Sequence, residues 1–252
     1  MKKLLNILAI SLVLSTTLSA STRGDVKVIE ASENIRLLGQ KIAKDYLFYY
    51  KNSKKSNLKE RLLIDIEMLE NSIIEIATIT KNRDSKNILD FLAYNKDEIK
   101  ELLVKEANRE RSMLMLDYGE SFVEGANSIF NEHKYDFSAE ENMLMLFKNI
   151  EYLLERISKY YVASALNLDK NNNFKNMKQA IVSVESILSS INAYSYPGEL
   201  SSELKKMNYT WGKHREFLYK SNELSIPNLI LSSESVLEKS IQKISLYHKQ
   251  NQ

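Results

Sequence analysis

Leu37-Leu38-Gly39-Gln40-Lys41-Ile42-Ala43-Lys44 and Tyr152-Leu153-Leu154-Glu155-Arg156-Ile157-Ser158-Lys159 lie 115 positions apart, and their likeness decides how the chain is read. The same offset pairs Ile35 with Ile150, Tyr46 with Tyr161, Glu70 with Glu185, Tyr94 with Tyr209 and Leu103 with Leu218. Asn57-Leu58-Lys59 fits Asn173-Phe174-Lys175 at 116. One offset shared across several helical segments marks an internal duplication.

Outward from these segments, apolar residues recur at helical spacing nearly throughout. Ile35, Leu38, Ile42, Tyr46 and Tyr49 share one face of a first helix, which ends in the polar stretch Lys51 to Asn57. Leu58 to Ile76 predicts a second helix. After a turn at Thr80 to Ser85, with Asp84 or Ser85 as cap, Ile88, Phe91, Leu92, Ile99, Leu102 and Leu103 predict a third. Met115, Phe122, Ala126, Ile129 and Phe130 predict a fourth, with Gly119 or Gly125 as the place for a bend. Asn131 to Phe137 is the boundary, and Ser138-Ala139-Glu140-Glu141 has the form of a capping box. Four more stripes follow: Leu146 to Tyr161, Met177 to Ile191, Leu200 to Leu218 after Tyr196-Pro197-Gly198, and Leu229 to Ile244 after Pro227, with Ser225 as a cap. With only 6 Gly and 2 Pro in 252 residues, the turns a strand-rich fold needs are missing. The expected fold is all-α: two tandem antiparallel four-helix bundles, residues 21–135 and 136–252, the second a degenerate copy of the first.

The start of the chain has its own pattern. Met1-Lys2-Lys3 precedes an apolar run from Leu4 to Leu14 and the small, polar Ser15 to Ala20. A basic, then apolar, then small-residue order is that of a secretory signal peptide, placed here at residues 1–20, and it predicts a periplasmic protein. The run is shorter than the roughly 20 residues of a comfortable membrane span. With no cysteine, disulfides, thiolate metal sites and a lipidated cysteine drop out. Of the formal charge of +2, Lys2 and Lys3 supply all. A neutral remainder with interspersed signs lacks the electrostatic footprint of a nucleic-acid binder.

The segment from Ile29 to Lys44, Ile-Glu-Ala-Ser-Glu-Asn-Ile-Arg-Leu-Leu-Gly-Gln-Lys-Ile-Ala-Lys, resembles the signature helix of the PilJ/NarX-like sensor domain, also called the type IV pili methyl-accepting chemotaxis transducer N-terminal domain. Arg36, Leu38, Gln40, Ile42, Ala43 and Lys44 match its pattern as identities, and Leu37 and Lys41 in kind. Glu33 and Asn34 stand where the family has Gly and Arg. The resemblance implies an extracytoplasmic four-helix sensor domain, often dimeric, working in signal transduction or chemotaxis with a membrane receptor or another envelope protein. In the nitrate-sensing members an arginine at the position of Arg36 holds the anion between two protomers.

On a helical projection Arg36, Gln40, Ala43, Leu47 and Tyr50 form a second stripe, turned away from the first. A guanidinium fork and an amide one turn on suit a small planar anion. Arg36, Gln40 and Lys41 are thus the candidate ligand-binding residues, and a homodimer would bring two Arg36 together. In the second half Glu151 and Glu155 replace Arg36 and Gln40, so halves packed on each other would set Arg36 against Glu151.

Nothing else nominates chemistry. His133, His214 and His248 have no ligand spacing and read as surface residues. The Met113 to Leu116 and Met143 to Leu146 runs read as packing, Trp211 and Tyr209 as anchors, and the lysines from Lys51 to Lys59 as a solvated turn. No nucleophile elbow or phosphate loop is present. The expectation is a sensor-like ligand-binding module for a small anion such as nitrate, without catalysis, metal or cofactor; the alternative is a structural or adaptor bundle whose ligand site has decayed.

Overall fold

The structure, a computed structural model, describes the backbone of residues 2–52, 56–220 and 227–252 and the side chains of residues 23–52, 57–220 and 229–252. The expected leader and the cap Ser225 therefore lie outside the residues whose side chains are described. The fold is all-α. Eight helices follow one another, and no strand occurs among the described residues: α1 (Lys2–Lys51), α2 (Ser56–Ile79), α3 (Arg83–Val104), α4 (Arg109–His133), α5 (Ala139–Ala165), α6 (Lys170–Asn192), α7 (Gly198–Tyr219) and α8 (Pro227–Gln250). Among the described residues no helix is long and apolar enough to cross a membrane.

Local chemistry sets the helix ends. Ser138 and Glu141 form the capping box expected of them: the Ser138 hydroxyl accepts from the Glu141 amide, and the Glu141 carboxylate accepts from the Ser138 amide. At α3 the cap is Asn82, not Asp84 or Ser85; its side-chain oxygen accepts from both of their amides. The helix starts two or three residues earlier than the acidic and hydroxyl residues indicate, because a short amide side chain caps as well as theirs. Between α5 and α6 the chain turns through Asn167 (φ 55°) and Asp169 (φ 44°), residue types that tolerate the left-handed region.

Two apolar clusters fill the molecule. One gathers Ile35, Leu38, Ile42, Tyr46, Leu62, Ile66, Ile99, Met115 and Phe122 from the first four helices. The other gathers Phe147, Ile157, Met177, Ile181, Trp211, Leu237 and Ile241 from the last four. In each set the first helix packs on the second and the fourth, and α1 and α5 also pack on each other. These two helices are consequently buried on nearly every side. The second stripe of α1 is used here: Leu47 lies wholly buried in the core of the second set. Gly119 is a point of contact. A Cβ on it would meet Ala43 Cβ at 3.0 Å and the Gly39 carbonyl at 3.2 Å, and one on Gly39 would meet Phe122 Cβ at 2.6 Å. The missing side chains let α1 and α4 approach closely.

Several expectations need correcting. Phe91 and Tyr209 are exposed, so neither is an anchor of its helix. His214 and His248 are fully buried rather than on the surface. His214 Nδ1 pairs with Ser233 Oγ at 2.6 Å, and burial pushes its pKa down to about 4. His248 binds Glu140 and, through Nε2 at 2.8 Å, the Tyr196 hydroxyl. The corresponding His133 binds Asp25 at 3.0 Å and Thr80 at 3.1 Å. A histidine at the end of each fourth helix thus latches onto a carboxylate of the first helix of its set. Asp25 and Glu140, like His133 and His248, are 115 positions apart.

Candidate functional site

Arg36, Gln40 and Lys41 do not converge. The Arg36 guanidinium pairs with Glu33, donates to Asn149 Oδ1 at 2.6 Å and Asn127 Oδ1 at 3.3 Å, and stacks 4.5 Å over the Tyr152 ring. Gln40 turns into its own bundle and donates to the Gly119 carbonyl at 2.7 Å. Lys41 turns the other way, onto Asp65 of α2 at 2.7 Å. Arg36 is neutralised by Glu33, one turn before it. Glu151 instead pairs with Lys148 at 3.3 Å. Glu33–Arg36 and Lys148–Glu151 are the same positions of the two copies with the signs exchanged.

A large opening lies beside this seam. A cavity of about 750 Å³ is bounded by Leu37, Lys44 and Phe48 of α1, Leu58 and Arg61 of α2, Glu155 of α5, and Leu231, Glu234 and Glu238 of α8. Its inner wall is charged and buried. Lys44 Nζ lies 2.5 Å from Glu155, 3.7 Å from Glu234 and 4.0 Å from Asp45. Burial opposes charge on Lys44, but these three carboxylates outweigh it and hold the ammonium above its usual range. Asp45 also receives Arg61 at 3.0 Å. Glu234 accepts from Ser158 through Oε2 at 2.9 Å; its Oε1, which faces Lys44, accepts no hydrogen bond among the described residues. Burial, reinforced by Glu155 and Glu238, pushes its carboxyl up to about 8 against the pull of Lys44. Glu155 is raised as well, chiefly by burial, with Lys44 opposing. Around the cavity as a whole five carboxylates and five cations balance, while Glu155, Glu234 and Glu238 crowd about Lys44 alone.

A second, smaller cavity of about 250 Å³ lies across the same seam, between α4, α5 and α6. The two correspond in part. Lys41, Lys44, Asp45, Asn57, Leu58 and Arg61 of the first lie 115 positions before Arg156, Lys159, Tyr160, Asn172, Asn173 and Asn176 of the second. At the same offset Leu116 and Glu120 of the second match Leu231 and Ser235 of the first. Glu234 and Glu238 fall opposite Gly119 and Val123 and have no acidic counterpart. Chemically the copies differ. Fully buried Lys159 pairs with Glu120, which also receives Arg156 at 2.7 Å and the Tyr160 hydroxyl at 3.0 Å. Burial brings Lys159 down to about 8, with Glu120 opposing. Glu120 is held low because Lys159 and Arg156 outweigh its own burial. Two cations and one half-buried carboxylate close this site on itself.

No family model, characterised protein or solved structure matches the chain.

Glu155, Glu234 and Glu238 can bring carboxylate oxygens within 4.8 Å of one another, a spacing that would suit a metal ion. Lys44 already stands between the first two, so a divalent ion there would meet an ammonium at close range. In the sequence Lys44 and Glu155 figure only as matched positions, not as site residues, and Glu234 not at all. Lys44 and Lys159 close the two aligned segments, and Glu234 and Glu238 stand one turn apart on α8. Those were the available signals.

Proposed function

We propose that the chain is an extracytoplasmic ligand-binding module of the sensor-like kind, whose ligand enters the cavity between the two sets of helices beside Lys44 and Glu234. The observation that carries this reading is the cavity itself. It has the volume of a small-molecule site, and apolar Leu37, Phe48, Leu58 and Leu231 share its wall with a few buried charges. Glu234, buried yet short of donors, is the kind of perturbed group that marks such sites. The basic and apolar opening of the chain and the likeness of Ile29 to Lys44 to a sensor signature support export and a signalling role. Transmission to a membrane receptor would follow from a ligand that touches α1, α2, α5 and α8 together and so fixes one set of helices against the other.

An anion at Arg36 is disfavoured, since that guanidinium is already covered. The competing reading, a structural or adaptor bundle with a decayed site, draws on the self-neutralised second cavity. Thermal-shift screening of the secreted protein against small anions, amines, amino acids and metal ions separates the two. A ligand that raises Tm in the native protein, and loses its effect when Leu231→Trp fills the cavity, supports the binding module. No response to any compound, in the native protein as in the filled variant, favours the adaptor.

A further inference from the structure

Resting on the cavity being a binding site, its wall also says what kind of ligand it takes. Of its four inner carboxylates, Glu155 is bound by Lys44 and Asp45 by Arg61. Glu234 Oε1, on a residue only 2% exposed, accepts no hydrogen bond among the described residues and has Lys44 Nζ no nearer than 3.7 Å. Glu238, one turn further along α8, has no hydrogen bond or ion pair among the described residues and lines the same cavity. These two carboxylates leave acceptor oxygens without hydrogen-bond donors, beside an apolar wall.

We infer that the cavity binds a primary alkylammonium, its head group donating to Glu234 Oε1 and Glu238 and its carbon chain lying along Leu37, Phe48, Leu58 and Leu231. An ammonium meets the requirement better than a divalent metal. It carries three donors in a compact head, it leaves the Lys44–Glu155 pair intact, and it repels Lys44 half as strongly as a doubly charged ion at the same distance. At this end three carboxylates, Glu155, Glu234 and Glu238, gather around the single ammonium of Lys44, which disfavours an anion there.

The test is isothermal titration of the full chain with n-butylamine, 1,5-diaminopentane, n-butanol, butyrate, and calcium and magnesium chlorides, at pH 7.5 in two buffers of different ionisation enthalpy. Saturable heat is expected with both amines and not with butanol or butyrate. The heat should differ between buffers, because the ligand's charge displaces the proton that Glu234 holds. Glu238→Gln, at a partly exposed position that leaves the fold intact, should weaken amine binding at least tenfold, while Lys213→Gln on the outer face of α7 leaves it unchanged. Amine heats absent, or unaltered by Glu238→Gln, or matched by butanol, overturn the inference, as does binding of calcium or magnesium in preference to both amines. Cavity-dependent binding of anions alone would overturn it too, while leaving the binding-module reading standing.

Discussion

Lys44 and Lys159 occupy the same position of the two copies, both buried, and their surroundings drive them in opposite directions. Lys44 faces Glu155, Glu234 and Asp45 and is held in its charged form. Lys159 shares the single carboxylate of Glu120 with Arg156 and is lowered to about 8. Removing one partner of a buried ion pair costs about 3–5 kcal/mol when the other is left charged and uncompensated. Lys44→Met should therefore destabilise by about that much at pH 7.5, because Glu155 and Glu234 lose the ammonium that faces them both. Lys159→Met leaves Glu120 with Arg156 and Tyr160 and should cost little or stabilise. Chemical denaturation of both variants checks the contrast, and equal losses would refute it.

The two lowered and raised groups also give opposite pH signatures. Glu234 titrates near 8 in the fold against 4.5 when unfolded. Its contribution to stability is fully present below pH 4.5 and is lost as pH rises towards 8, while it faces Lys44 and Asp45 of α1, Arg61 of α2, Glu155 of α5 and Glu238 of α8. Glu234→Gln, which has nothing to ionise, should gain on the native protein across that window, by a few kcal/mol at pH 8.5. Melting curves at pH 5 and pH 8.5 measure the gain; a constant difference between the two proteins would count against a perturbed Glu234.

For Lys159 the folded value lies below the unfolded one, so the stability linked to it is present above pH 10.5 and is lost as pH falls through about 8. Lys159→Met should accordingly compare better with the native protein at pH 7.5 than at pH 10, by a few kcal/mol. Denaturation midpoints at the two pH values decide this.

Arg36 is a structural residue in this arrangement. Glu33 beside it is raised above its usual range by burial, with Arg36 as the main opposing influence. Arg36→Ala strands that carboxylate and empties the face of Tyr152, and should destabilise by about 3 kcal/mol at pH 7.5. Amine titrations of the still-folded fraction should be unchanged. A variant of native stability would show that Glu33 finds compensation elsewhere.

Gly39 is held by packing. A methyl group there lies 2.6 Å from Phe122 Cβ on the neighbouring helix, a distance that forces α1 and α4 apart. Gly39→Ala should cost roughly 1–3 kcal/mol despite the better helix propensity of alanine. Gly212, on the exposed side of α7 with nothing within 4 Å, is the control, where alanine should stabilise slightly. Reversal of the two effects in urea denaturation would contradict the close contact.

Much of the architecture is readable from residue order. Apolar spacing placed eight helical stripes, and the scarcity of Gly and Pro excluded strands. Ser138-Ala139-Glu140-Glu141 announced its own cap, because capping needs only residues three apart. The repeated Gln40/Glu155, Lys41/Arg156 and Lys44/Lys159 positions were likewise visible. These are local or pairwise signals that hold in any compact arrangement of the chain.

Which helices stand in the middle is a tertiary decision. Periodicity reports one apolar face, and α1 and α5 each have a second face that becomes interior only because they pack on one another. That packing buries Lys44, Glu155 and Lys159, charged residues that spacing alone assigns to water, and brings Glu234 to Lys44 from the far end of the chain. The same packing turns Arg36 onto Tyr152, Gln40 onto the Gly119 carbonyl and Lys41 onto Asp65, so three neighbours in sequence end in three different places. A charge is tolerated inside a protein only where partners from other elements meet it, and the chain supplies those partners only once it has folded.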